Sequence, residues 1–96
     1  MRYETHTHMQ REAIFEAARS FFGQDEGGLG MKQSAHQGNQ ISFFGGGLIW
    51  VTVWPAAPNE KIRVDVDVSD RDADAKRFIE QVLNAPVRAA SGSTSV

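Results

Sequence analysis

Two stretches near the middle of the chain, Leu48–Trp54 and Lys61–Val68, alternate between two sets of side chains with period two. A strand sends successive side chains to opposite faces, so Ile49, Val51 and Val53 share one face with Ile62, Val64, Val66 and Val68. The second stretch is apolar on that face alone; its other side reads Lys61, Arg63, Asp65, Asp67. The first is apolar on both, because Leu48, Trp50 and Trp54 occupy the side its neighbour leaves polar. A two-layer domain normally solvates that side, so two tryptophans there ask for a partner.

Period 3.6 appears twice. Ile14, Phe15, Ala18, Phe21 and Phe22 form one stripe and predict a helix over residues 8–22. Thr7 with Gln10 fits a capping box at its start, and Gly23 suits a left-handed residue just past its end. Ala75, Phe78, Ile79, Val82 and Leu83 form a second stripe, predicting a helix over 70–84. Ser69 is the expected N-cap, with Asp70 and Asp72 in the first turn and an Asp72–Lys76 pair on the surface; Pro86 ends it. Between the helices, Leu29–Gln37 reads as a strand with Leu29, Met31 and Ala35 on one face. Gly38-Asn39 supplies two residues of positive φ for a tight hairpin into Gln40–Phe44. Gly45-Gly46-Gly47 and Pro55–Asn59 make the next two turns. Residues 2–7 alternate weakly and predict a first strand.

The fold class is therefore α+β, a two-layer sandwich with two helices on one face of an antiparallel meander of about four strands, in the order (β)-α-β-β-β-β-α. Residues 1–85 read as one domain, and 86–96, rich in serine, as a disordered tail. This element order is similar to a single repeat of the TATA-binding-protein fold. It also resembles a shortened helix-grip fold, whose C-terminal helix closes a ligand cavity over a curved sheet. Neither resemblance rests on a residue motif, and fold does not imply function.

The formal charge of −2 supplies no electrostatic footprint for nucleic acid or an anionic membrane. It also opposes the DNA-binding role that the first resemblance implies. With no cysteine there is neither a disulfide framework nor a thiolate metal or redox site. No apolar run approaches a membrane span and the first residues lack the apolar core of a signal peptide, so the expectation is a soluble cytoplasmic protein.

His6 and His8 share one face if both lie on a strand, and His36 or one of Asp65 and Asp67 would be the third ligand of a metal site. Two histidines at a strand-to-helix junction more commonly meet solvent, and zinc needs three or four converging ligands, so the expectation is no metal and no cofactor. Asp65-Val-Asp67-Val-Ser69 imitates the start of a calcium loop but has Asp70 where glycine belongs and Lys76 where the bidentate glutamate belongs. The glycine runs at 27–30 and 45–47 precede extended segments, so no helix N-terminus awaits a phosphate. Nucleophile elbows and zinc-protease motifs are absent; an acid/base pair can be assembled from His36 and Asp65 on the outer sheet face, but any small protein with three histidines and twelve acidic residues permits such a pairing.

The reading is a small non-catalytic domain that self-associates, as a homodimer, through a face bearing Phe44, Leu48, Trp50 and Trp54, with Arg63 at its rim. Its competitor is a small-molecule carrier or small enzyme, whose ligand would sit between helices and sheet against Phe15, Phe22, Phe43 and Phe78, or on the tryptophan face, where a heterologous protein is the further alternative. An enclosed cavity of at least ~300 Å³ would favour the competitor.

Overall fold

The computed structural model describes residues 1–23, 27–85 and 88–89. Six strands form one antiparallel sheet: β1 Arg2–Thr7, β2 Lys32–Gln37, β3 Gln40–Phe44, β4 Leu48–Val53, β5 Ile62–Ser69 and the two-residue β6 Arg88–Ala89. Their order across the sheet is β2-β3-β4-β5-β1-β6. Helix α1, Arg11–Phe22, follows β1; α2, Asp72–Arg77, follows β5 and continues as a π-helical turn over Phe78–Val82. The α+β class and the expected element order hold. Of the expected tail, Arg88 and Ala89 pair with Glu4 and Tyr3, and 86, 87 and 90–96 lie outside the described residues.

One face of the sheet makes the core. Ile41, Phe43, Ile49, Val51, Val53, Val64 and Val66 are buried there under Ile14, Phe15, Ala18 and Phe22 of α1 and Ala75, Phe78 and Ile79 of the second helix. The rings of Phe22 and Phe43 lie 5.6 Å apart and those of Phe22 and Phe78 4.9 Å, so three of the four aromatic residues expected to line a pocket pack on one another, while Phe15 lies against His36. Phe21, expected in the core, is half-buried against Phe78 and under the Arg77 guanidinium. Strand β1 contributes Tyr3, Thr5 and Thr7 to the inner face.

The element ends depart from expectation for local reasons. Helix α1 starts at Arg11, and Gln10 makes no side-chain cap. Thr7 belongs to β1 instead, where its hydroxyl donates to the Leu83 carbonyl at 3.0 Å and accepts from Met9 N–H at 3.2 Å. Gly23 is not left-handed (φ −78°). Its N–H bonds Arg19 O, and a Cβ there would stand 2.2 Å from that same oxygen. The amides of Leu29, Gly30 and Met31 then satisfy the carbonyls of Phe21, Gly23 and Phe22, so strand β2 cannot begin before Lys32.

A β-bulge between Gln33 and Ala35 reverses the side-chain parity of β2. Met31 is buried, but Ala35 falls opposite the outward Ser42 and is exposed, so the two do not share a face. His36, opposite Ile41, turns to the helix side instead, against Phe15. In the hairpin that follows, Gly38 has positive φ and Asn39 does not.

Ser69 does not cap the last helix, because β5 runs through it to pair with Leu48. Asp70 turns the chain at φ +65°, and Arg71 becomes the N-cap residue. Its guanidinium donates twice to Gly45 O, at 2.8 and 3.1 Å, and once to Asp74, tying the β3–β4 turn to the start of α2. Asp72 accepts the Tyr3 hydroxyl at 2.8 Å, and Lys76 lies over the Tyr3 ring rather than serving a surface pair.

Candidate interaction face

The outward face of the sheet is built by strand parity. Leu48, Trp50 and Thr52 of β4 stand opposite Phe44, Ser42 and Gln40 of β3 on one side, and opposite Ser69, Asp67 and Asp65 of β5 on the other. Trp54 continues the row just past β4, its backbone N–H bonded to Arg63 O. Phe44, Leu48, Trp50 and Trp54 are each between 41% and 46% exposed, and apart from Met1 they are the large exposed apolar side chains among the described residues. They lie along one row, interrupted by Thr52 between the two tryptophans, on a sheet whose other face is filled.

The face is not a uniformly solvated surface. Asp65, expected to be polar and outward, is only 2% exposed. Burial of a carboxylate requires partners, and it has three donors. The Trp54 indole N–H donates to Oδ2 at 2.9 Å, and Arg63 donates through Nε to Oδ1 at 3.1 Å and through Nη2 to Oδ2 at 3.2 Å. The Arg63 guanidinium also lies 5.1 Å from the Trp54 ring centroid and pairs with Glu4 at 3.6 Å. Its pKa is held above the ordinary arginine value by the hydrogen bond to Asp65, which outweighs the opposing effect of burial. Arg2 is raised likewise by its 2.8 Å bond to Asp67. The consequence is geometric: Asp65 fixes both the Trp54 ring and the guanidinium stacked on it. Beside Trp50, the Ser42 hydroxyl is buried without a hydrogen-bond partner among the described residues.

The three histidines do not converge. His6 and His8 sit, exposed, at the far end of β1, while His36 lies across the sheet on β2, where its Nδ1 accepts from Arg19 at 2.8 Å. No group of three or more metal-ligating side chains occurs among the described residues. Asp65 is committed to Trp54 and Arg63, and stands on the outward face, whereas His36 is on the inner one, so the acid/base pair that composition permits does not form. The burial of Asp65 departs from the alternating pattern; its one signal in the chain is a tryptophan and an arginine at positions that strand pairing brings beside it.

Among the described residues no helix is long and apolar enough to cross a membrane. Comparison with protein-family models, with curated proteins and with solved structures finds no match.

Proposed function

We propose that this chain is a small interaction module that forms a two-fold homodimer by stacking its outward sheet face on that of a second copy. The row of Phe44, Leu48, Trp50 and Trp54, half-exposed over a sheet whose other side already has a complete core, is the observation that carries this reading. Four such side chains present on the order of 300–400 Å² of apolar surface, about half of what one partner gives to a standard interface. The remainder is available around them in Arg2, Glu4, Arg63 and Asp67. These carry both signs in neighbouring positions, as a patch that must complement itself requires.

The edges of the sheet argue for the face as the contact. Edge strand β2 is polar and bulged and the opposite edge is two residues long, so both are poor templates for strand addition. A pre-set Trp54 and Arg63 would also lose little side-chain freedom on association. We read the dimer as a non-catalytic, cytoplasmic protein, in keeping with a chain that has no cysteine.

The test is light scattering on the full chain and on Trp50→Lys and Trp50→Lys/Trp54→Lys variants. The wild type should be a dimer and both variants monomers with unchanged far-ultraviolet circular dichroism. The single variant guards the result, since its substitution leaves the Asp65 bonds in place. A wild type that is monomeric near millimolar concentration, with the emission of water-exposed indole, would rule the dimer out.

A further inference from the structure

At the end of the sheet where β1 meets α1, a depression of about 320 Å³ opens between the last residues of β1 and the end of the second helix. It lies apart from the Trp50 row and was not legible in the sequence, because its two walls come from opposite ends of the chain. One wall is Thr7, His8 and Met9; the other is Leu83, Asn84 and Ala85. The Thr7 hydroxyl joins them, donating to Leu83 O and accepting from Met9 N–H, so the depression is bridged by a buried hydrogen-bonded group rather than left between loose segments.

The far wall is shaped by the π-helical turn. Leu83 N–H bonds Phe78 O, five residues back, and Ala85 N–H bonds Ile79 O, six back, which widens the end of the helix before Asn84 turns left-handed at φ +52°. Asn84 there is an ordinary helix terminator. The π turn before it is the rarer feature, and such turns concentrate at functional sites.

The lining is chemically one-sided. Lys61 supplies a positive charge and His8 an imidazole N–H donor, while His6, paired with Arg63 in the ladder, lies at the rim with its side chain on the outward face. No aspartate or glutamate lines it among the described residues, although the chain as a whole is acidic. Met9, Leu83 and Ala85 make the remainder apolar. Two histidines without a carboxylate or third imidazole fall short of a zinc site. A cation and an imidazole donor beside an apolar wall, in a volume at the lower end of small-molecule sites, fit a different class of ligand.

We propose that this depression binds a small organic anion, an oxyanion headgroup carried on a short apolar body. Lys61 meets the charge, His8 donates to the oxygens, and Met9, Leu83 and Ala85 cover the body. The headgroup is a carboxylate or a phosphate monoester, and the same geometry serves both.

The experiment is a nuclear magnetic resonance titration of the full chain with butanoate, with n-butyl phosphate, and with inorganic phosphate as the probe lacking an apolar body. Saturable shifts from at least one butyl probe, confined to residues 6–9, 61 and 83–85, are expected, and whichever probe saturates identifies the headgroup. Inorganic phosphate should bind about tenfold more weakly or worse, and Lys61→Gln should weaken the butyl probe by a similar factor. Lys61 is exposed, so that variant keeps its fold. Absence of saturation by either butyl probe overturns the proposal, as do equal binding of inorganic phosphate and insensitivity to Lys61→Gln. Stoichiometric capture of zinc by the two histidines, with no response to the anions, would replace it with a metal site.

Discussion

At the residue scale, the side chains that decide most are those whose polar atoms are buried. Asp65 is tolerated under the outer face only because Trp54 and Arg63 donate to it. Tyr3 shows the same logic on the inner face. Burial, reinforced by the hydrogen bond to Asp72 and that residue's charge, raises its pKa above the ordinary 10.0. The folded state thus favours the neutral phenol. Its contribution is complete below about pH 10 and fades as the pH climbs through the raised folded value. Tyr3→Phe should lose ~1 kcal/mol near neutrality and flatten the alkaline limb of a stability–pH profile. A variant whose alkaline limb matches that of the wild type would show that another group is responsible. Ser42 presents the opposite case, a buried hydroxyl with no partner among the described residues. Ser42→Ala should be neutral or stabilising by up to ~1 kcal/mol in a denaturant titration, because it removes a desolvated group that nothing compensates. Phe78, fully buried between Phe21 and Phe22, is expected to cost ~3–5 kcal/mol when cut to alanine, a large part of the stability of a domain this small. An almost unmoved midpoint would mean the second helix is not docked on the sheet.

At the scale of elements, the junctions carry the constraints. Gly47, at φ +153°, lets β4 begin beneath the next turn: a Cβ there would stand 2.4 Å from Ser69 O and 2.8 Å from the Arg71 side chain. Gly47→Ala should therefore destabilise by more than ~1 kcal/mol, through backbone strain and loss of the Arg71 tie to Gly45. A chemical denaturation curve that superposes on the wild type would refute this. Strand β2 shows how one extra residue alters an element. Its bulge sends Ala35 outward and brings His36 over Phe15, so a strict count of alternate residues misplaces both. Both helices start later than their local capping signals predict. Thr7 and Ser69 are both good N-caps in isolation, and both are claimed by strands whose ladders bury more surface than a cap can recover.

At the scale of the whole molecule, a one-sided core leaves the other sheet face bearing the exposed apolar side chains, and the end of the sheet carries a separate depression. Neither feature calls for a metal. His6 and His8 lie on the opposite side of the sheet from His36, and no cluster of three ligands exists among the described residues. Chelator should leave the melting temperature unchanged, and stoichiometric zinc should not raise it by more than a degree or so. A rise of several degrees, abolished in His6→Ala, would reverse that expectation.

What the chain determines by itself is its periodicity. The stripes of Ile14, Phe15, Ala18 and Phe22 and of Ala75, Phe78 and Ile79, and the alternation through Val51 and Val66, are local properties. A helix or strand can express them without reference to any distant residue. Core composition, element order and the exposure of Trp50 and Trp54 follow from them. Tertiary structure alone decided what depends on residues far apart in the chain. Examples are the burial of Asp65 by Trp54, the transfer of Thr7 from a helix cap to a bond with Leu83, and the meeting of His8 with Asn84 around one depression. Periodicity says which face a side chain takes, but packing decides what stands opposite it.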